Sequence, residues 1–474
     1  MKKLFYVGCF SSFILISGCA LYQKPEVPAL EIPKNFKTDI NKTNAKLKGE
    51  WWENFHNEKL NTLVDLAVKN NYNYQISIKN IQIASTYVSQ NLSSLFPQIS
   101  LNASSSRNKS ASVISNLSNA SSTVNPTSPS FSSIFNLNQL TGSVSYEVDI
   151  WNQVRNSVKQ AKADEAASIA ASKVVRLTLI ASVVDTYFQI ITTENNLINL
   201  KQQYQCAIEI VNLFNTQFRS GLIDASTLYT AKNQMEIIKS NILVLEKQRE
   251  ILRYTMAYLV GEYPENFKLA LDQKSKKLET KKLIPAGIPA EMLANRPDIQ
   301  GAYYQVLSAG YVEKQNIANF LPAVNLTGNY GYASTALSGL ISGSNAYWNY
   351  GIFATQFVFD YQARMSIFKR SKYQFESAIL TYKNTVLNAF IEVDSALISY
   401  KEDNEALLSY QRQMGNAVEL FSISNSQYQA GLVDYSTSLA ARLNYLQSSY
   451  NLNNQKLVVI EDVVQVYKSL GLGL

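Results

Sequence analysis

The chain has 474 residues and a formal net charge of +7, which falls to about +5 once Lys2 and Lys3 leave with an N-terminal leader. This mild excess of base is spread along the sequence and argues against a nucleic-acid partner. His56 is the only histidine, so neither a paired-histidine metal site nor a histidine-activated nucleophile can form. Gly-x-Ser-x-Gly and phosphate-binding Gly-Lys-Thr motifs are also missing. We therefore expect no catalytic residues, no metal and no enzyme activity, and energy for any transport must come from a partner.

Residues 1–18 are predicted to be a secretory signal peptide, because a basic start precedes an apolar stretch too short to span a membrane. Its end, Ile16-Ser17-Gly18-Cys19, resembles the lipobox of bacterial lipoproteins. That resemblance implies that a covalent lipid, such as palmitate, is attached to Cys19, with no other cofactor. Ala20 follows, rather than Asp, which favours the outer membrane. An ordinary cleaved leader with an incidental Cys19 is the alternative.

Residues 19–50 are rich in Pro, Lys and Asn and are predicted to form an extended, lipidated tether. Within it, Asn41 lies in an acidic-x-Asn-x-Thr pattern that some bacteria glycosylate; an unmodified polar linker is the alternative. Beyond the tether the one cysteine is Cys206, in a helical stretch, so no disulfide framework is expected and Cys206 should pack as a small apolar side chain.

The second half of the chain repeats the first. The sequence Gly-Leu-x-Asp interrupts helical periodicity at 218–228 and again at 428–438, about 210 residues later. We therefore predict two structural repeats, 51–264 and 293–474, joined by the lysine-rich segment 265–292. A duplicated unit buries its apolar face against its neighbour, so the repeat alone predicts two similar units that pack together.

Each repeat contains two runs of alternating apolar and polar residues, which predict strands at about 97–108, 139–149, 322–332 and 348–360. Pro97 and Pro322 are equivalent positions of the repeat and precede the first strand of each half. Runs of about ten residues suit tilted strands that cross an outer membrane; the half-buried sheet of a soluble protein is the alternative. Four strands cannot close a barrel in lipid, so membrane strands would require several chains to pool them.

Long helical hairpins follow the strands in both repeats. Steps of three and four residues from Phe390 to Phe421 reach an apolar residue at eight of ten positions. The helical pattern from about Arg155 to Phe218 is far longer than an ordinary globular helix. A sustained period of 3.5 residues indicates coiled-coil packing, so these hairpins should form a rod or the wall of a tube.

Several motifs resemble those of the TolC-like outer-membrane efflux lipoproteins. They are Trp51-Trp52-Glu53-Asn54-Phe55, Tyr146-Glu147-Val148-Asp149-Ile150-Trp151 and Arg296-Pro297-Asp298-Ile299. The match covers nearly all of the mature chain. The resemblance implies an α+β membrane protein and a homotrimer with a twelve-stranded outer-membrane β-barrel. A periplasmic α-helical barrel continues it, with a mixed equatorial domain that includes the segment joining the repeats.

The resemblance also places the two helical corners at a periplasmic tip that closes the tube and docks an adaptor protein. The tip residues would be Gly221, Leu222, Asp224, Gly431, Leu432 and Asp434. Glycine permits the positive φ of a tight corner, and aspartate caps the returning helix. Capping alone is one interpretation of Asp224 and Asp434; an added role in the pore or in docking is the other.

Many relatives constrict this aperture with acidic residues on the second returning helix, where this chain has Thr437 and Ala440. An acidic gate therefore cannot be transferred to this sequence. Asp434 and Thr437 are the aperture candidates, and we expect inter-chain hydrogen bonds and packing to hold the tip.

The implied function is the exit duct of a tripartite efflux pump in the bacterial outer membrane. The duct would passively conduct drugs and small toxic compounds from a periplasmic adaptor and a proton-driven inner-membrane pump of the RND type. The duct of a type I protein-secretion system is one alternative, and a lipid-anchored coiled-coil scaffold without a pore is another. Substrate range is expected to depend on the pump rather than on this chain.

Overall fold

The computed structural model describes residues 23–28, 50–109, 134–269, 293 and 295–473. The predicted signal peptide, Cys19, Asn41 and nearly all of the segment joining the repeats lie outside the described residues. The chain divides into two compact units. The first comprises residues 1–27, 83–165 and 305–379, and the second comprises 28–82, 166–304 and 380–474.

The elements follow the same order in both halves. After a 3-10 turn at Trp51–Phe55, the first half contains α1 (Glu58–Asn70), α2 (Tyr72–Ser93), β1 (Gln98–Lys109), β2 (Ile134–Glu147), α3 (Gln153–Arg219) and α4 (Ala225–Val260). The second half contains α5 (Pro297–Ala318), β3 (Ala323–Ser334), β4 (Ala346–Thr355), α6 (Ala363–Gln429) and α7 (Tyr435–Ser469). Helices α3 and α6 have 67 residues each, about 100 Å of helix.

The first unit contains one antiparallel sheet of four strands in the order β1-β2-β3-β4. Two predicted strand bounds are wrong. β2 begins at Ile134 rather than 139, because Ile134 pairs with Lys109 and the hairpin overrides the low strand propensity of its Asn residues. β4 ends at Thr355 rather than 360, because the chain turns there toward α6.

Both long helices begin through a tight connection that follows a strand. In the first, Asp149 accepts hydrogen bonds from the backbone N–H groups of Val154 (3.0 Å) and Arg155 (2.9 Å). In the second, Asp360 accepts from Nε of Arg364 at 2.5 Å. This ion pair lowers the pKa of Asp360, mainly through the hydrogen bond from Arg364. An aspartate and an arginine thus fix the helix start after each hairpin.

The second unit is organised around a core that buries the aromatic start of the first repeat. Trp51 is fully buried, stacks on Tyr467 with ring centroids 5.1 Å apart, and donates Nε1–H to the carbonyl of Leu472 at 3.2 Å. Apolar residues of the predicted helical seams form much of the remaining core, including Val393, Leu397, Ile460 and Val464. Val418, which belongs to the same predicted seam, is exposed. His56 is exposed and has a left-handed backbone, whereas Cys206 is buried, as predicted.

Arg296 joins three helices of the second unit. Its guanidinium donates to both carboxylate oxygens of Asp298 (3.0 and 2.7 Å), to Glu392 (2.8 Å) and to the carbonyl of Ser469 (2.5 Å). Pro297 begins α5, where its missing N–H costs no hydrogen bond. The planar fork of arginine is suited to such a multiple contact, so the motif at the start of the second repeat is a packing device.

Candidate functional site

The four-stranded sheet of the first unit has two chemically different faces. Directly paired residues share a face, and the register places Leu326 between Tyr146 and Ile352, and Tyr330 between Gly142 and Trp348. The opposite face carries polar residues, for example Ser143 opposite Asn329 and Asn329 opposite Asn349. Alternation of this kind is typical of strands with lipid on one side and a water-filled lumen on the other. We call the face that carries Leu326 and Tyr330 the lipid-type face.

Aromatic side chains concentrate toward the ends of the sheet. Trp348 and Tyr350 stack at a centroid distance of 5.7 Å and are 67% and 80% exposed. Phe357 lies beyond the opposite end of β4 and is also exposed. The ten residues of β4, from Ala346 to Thr355, measure about 30 Å, which a tilt of ~40° reduces to about 23 Å. This agrees with the ~25 Å apolar band of outer-membrane barrels.

Each helical hairpin of the second unit turns through the same hydrogen-bonded corner. Gly221 has φ +71° and donates its N–H to the carbonyl of Phe218 at 3.0 Å, and Leu222 donates to Gln217 at 2.9 Å. Gly431 also has φ +71°, and its corner repeats both bonds. This pair of bonds is the Schellman motif, which requires a left-handed residue and so favours glycine. The predicted corner geometry is confirmed.

An aspartate caps the returning helix at each corner. Oδ1 of Asp224 accepts from the N–H of Thr227 at 2.9 Å, and Oδ1 of Asp434 accepts from the N–H of Thr437 at 2.9 Å. Hydrogen bonding lowers the pKa of both carboxyls, mainly from Thr227 for Asp224 and from Ser436 for Asp434. Both caps therefore remain ionised at neutral pH. The capping role predicted for them is confirmed.

The structure brings the two aperture candidates together, since Oγ1 of Thr437 donates to Oδ1 of Asp434 at 3.2 Å. Leu222 and Leu432 point away from the protein and are 74% exposed each. The corner residues adjoin a cavity of about 550 Å³ that both hairpins line. Its walls include Ile210, Phe214, Thr227, Thr230, Ser436 and Ala440. The lining of this cavity therefore combines apolar side chains of α3 with small hydroxyl side chains of the two returning helices.

A contact between the hairpins was missed in the sequence. The hydroxyl of Tyr435 on α7 donates to Oε2 of Glu209 on α3 at 2.8 Å, and Arg442 lies 4.0 Å from the same oxygen. The hydrogen bond to Glu209 is the main cause of a raised pKa of Tyr435. The sequence feature that could have indicated this contact is a difference between the two corners, because Ala225 follows the capping aspartate in the first corner and Tyr435 follows it in the second. Sequence spacing alone could not identify Glu209, which is 226 residues away.

Buried carboxyl groups lie farther along the same helices. Burial raises the pKa of Asp185 to about 7, with Glu461 adding to the rise and Lys468 opposing it. Burial also raises the pKa of Asp462 to about 7, with Asp403 and Glu461 contributing. One carboxyl oxygen of Asp185 and one of Asp462 are enclosed without a hydrogen-bond partner among the described residues. A proton on each group removes the cost of an enclosed charge.

Within the described ranges, no group of His, Cys, Asp and Glu has the arrangement of a metal site. In the same part of the chain, α3 is the one helix long and apolar enough to cross a membrane by composition. Half of its most apolar window is buried inside the protein.

A sheet with a lipid-type face, combined with long helical hairpins, defines the class of outer-membrane channel proteins. The chain belongs to the outer membrane efflux protein family, whose sequence model matches residues 63–262 and 288–472. It is therefore a bacterial outer-membrane protein that serves as the exit duct of an efflux pump.

Relatives and solved structures agree with this assignment. The solvent efflux pump outer membrane protein SrpC of Pseudomonas putida is 25% identical over 98% of this chain and 97% of its own. The cation efflux system protein CusC of Escherichia coli K12 is 22% identical, over 98% of both chains. The crystal structure of the Campylobacter jejuni outer membrane channel CmeC superposes with a TM-score of 0.80 at 26% identity. That superposition covers 94% of this chain and 95% of CmeC.

Proposed function

We propose that three copies of this chain form a twelve-stranded barrel in the outer membrane, continued by a periplasmic helical tube. The observation that carries the proposal is the open four-stranded sheet, in which β1 and β4 each have one neighbour within the described chain. An unpaired edge in lipid leaves backbone groups without hydrogen bonds, each costing several kcal/mol. Three such sheets supply twelve strands, an even number that keeps every pair antiparallel.

The duct carries small toxic compounds and has no reaction of its own. Relatives named for solvent, toluene, antibiotic and cation efflux pumps support this class of cargo. The polar face of the sheet lines a lumen that gives such compounds a water-filled path. A proton-driven inner-membrane pump of the RND type supplies the energy and selects the substrate.

Cys19 carries the lipid that anchors the mature N-terminus beside the barrel. The described residues nearest to it support this placement, because Gln23 accepts a hydrogen bond from Nζ of Lys314 on α5. Pro25 packs where a Cβ on Gly310 would stand, at 2.5 Å. This segment packs on α5, which leads into β3, and the three residues between Cys19 and Gln23 let an extended chain reach at most about 13 Å.

The two corners form the periplasmic tip, where an adaptor protein docks. An exposed leucine beside a hydrogen-bonded backbone turn offers apolar area without an entropic cost of ordering the backbone. Leu222 and Leu432 are such residues, with Asp224 and Asp434 presenting charge beside them. Asp434 and Thr437 line the closed aperture, and the contact from Tyr435 to Glu209 holds the second hairpin against the first.

Purified protein in planar bilayers tests the duct directly, and we expect discrete conductance steps. A deletion strain should accumulate dyes and drugs and should recover when the gene is restored. Absence of conductance would support a scaffold without a pore. Normal drug accumulation combined with the loss of a secreted protein would instead support a secretion duct.

A further inference from the structure

We infer that β4 of one protomer pairs with β1 of the next in a single register, with Thr355 opposite the partner's Asn102. The inference rests on the trimer proposed above and adds the contact that closes the barrel. β1 and β4 are the two edges of the sheet, and β1 runs antiparallel to β4, as a strand that pairs beside β4 in the barrel must. The occupant of both edges is thus a second copy of this chain.

The register follows from a comparison of the two hairpins. Gln98, the first residue of β1, lies opposite Ser145, and Ala323, the first residue of β3, lies opposite Thr355. The hairpins therefore correspond, with Gln98 equivalent to Ala323 and Ser145 equivalent to Thr355. Within the chain, Ser145 also lies opposite Thr327, four residues beyond Ala323.

Repeating the same step across the open edge places Thr355 opposite the residue four beyond Gln98. That residue is Asn102. Counting outward along the antiparallel pair brings Phe353 opposite the partner's Ser104, Tyr350 opposite the partner's Arg107 and Trp348 opposite the partner's Lys109. Each position is set by the hydrogen-bonded registers already present in the sheet.

The two-faced character of the sheet supports this register independently. On β4 the lipid-type face carries Trp348, Tyr350 and Ile352, and on β1 the corresponding face carries Ile99 and Leu101 through their pairing with Val144 and Gly142. The inferred register joins these faces. A slip of one residue would place every lipid-facing side chain of β4 beside a lumen-facing side chain of β1. Slips of two residues are the remaining alternatives.

Side-chain chemistry favours the inferred register, because it places two basic residues opposite aromatic residues, whereas a shift of two residues in either direction leaves one such pair. Arg107 and Lys109 are the charged residues of β1, and both lie on its lipid-type face near the outer end. The inferred register sets them opposite the stacked rings of Tyr350 and Trp348. A cation over an aromatic face is attractive, and aromatic and basic residues both favour the membrane interface.

Cysteine cross-linking in the native outer membrane tests the register with the full-length chain. In a Cys206→Ala background, Phe353→Cys is combined with Ser104→Cys, and in the shifted controls with Asn102→Cys or Ser106→Cys. All four positions face the lumen and are accessible to a water-soluble oxidant. A shift of two residues moves the Cα atoms by about 7 Å along the strand, beyond disulfide reach. We expect covalent dimers and trimers for the Phe353–Ser104 pair and little for either control.

Efficient cross-linking of a shifted pair would overturn the register. No cross-link in any pair, with normal conductance and drug export, would overturn the β4–β1 contact and leave the duct in place. If the wild-type chain itself lacks conductance, the proposed function fails as well. A second measurement uses Arg107→Glu, which should lower the temperature at which the SDS-resistant trimer dissociates, whereas Arg107→Lys should not. Equal behaviour of the two variants would contradict the cation–aromatic contact.

Discussion

Replacement of Tyr435 by Phe should open the periplasmic tip, because it removes one hydroxyl and leaves the ring in place. That hydroxyl donates to Glu209 at 2.8 Å and ties α7 to α3. A hydrogen bond to a charged group contributes about 1.5–3 kcal/mol. The side chains of Glu209 and Arg442 are 41% and 39% exposed, so solvent screening reduces the value to about 1 kcal/mol.

Three such contacts in a trimer amount to about 3 kcal/mol, which shifts the balance of closed and open tips on the order of 100-fold. Single-channel recording in planar bilayers measures that balance as the fraction of time spent at high conductance. Tyr229→Phe is the matched control, since Tyr229 lies on the returning helix of the other hairpin and is 66% exposed. If Tyr435→Phe and Tyr229→Phe behave alike, the hairpin contact does not hold the tip closed.

Three further predictions concern stability. Arg296→Ala should lower the free energy of unfolding by about 1–3 kcal/mol, because it leaves the buried carbonyl of Ser469 without its donor and removes two solvent-screened ion pairs. Arg296→Lys should recover part of the loss in thermal denaturation. Gly431→Ala meets no atom within 4 Å but retains φ +71°, so it should cost about 1 kcal/mol and speed hydrogen exchange at the corner. Asp462, with a native pKa of about 7, binds a proton that the unfolded chain releases above pH ~4. Stability should therefore fall as pH rises from 4 to 7. Asp462→Asn should reduce the difference in melting temperature between pH 5 and pH 8.

Much of the fold follows from the sequence, because its signals are local. A glycine at the corner and a proline before the strand act on the backbone at their own positions, and the structure has corners at Gly221 and Gly431 and strands after Pro97 and Pro322. The strand ends were less accurate. Ile134 joins β2 because Lys109 is available to pair with it, and pairing across a loop is not encoded in the residues next to either strand.

The candidate site was predicted in its backbone and missed in its side-chain contacts. Asp224 and Asp434 each cap a helix three residues away, which is a local pattern. The contact from Tyr435 to Glu209 joins residues 226 positions apart. Such a contact depends on how two hairpins pack. Helical periodicity indicates which face of a helix is buried, but it does not identify the helix that packs against that face.

The two corners share one backbone geometry and differ in their side-chain contacts. Their backbones are alike, with the same glycine φ and the same capping bond, so neither backbone favours one hairpin as the moving part. The side chains that follow differ, because Tyr435 reaches Glu209 whereas Ala225 has no side chain long enough for an equivalent bond. The hydrogen bond from Tyr435 to Glu209 is screened by solvent and can be released at low cost, since its loss exposes no buried charge. The second hairpin is accordingly the one that should move when an adaptor engages the tip.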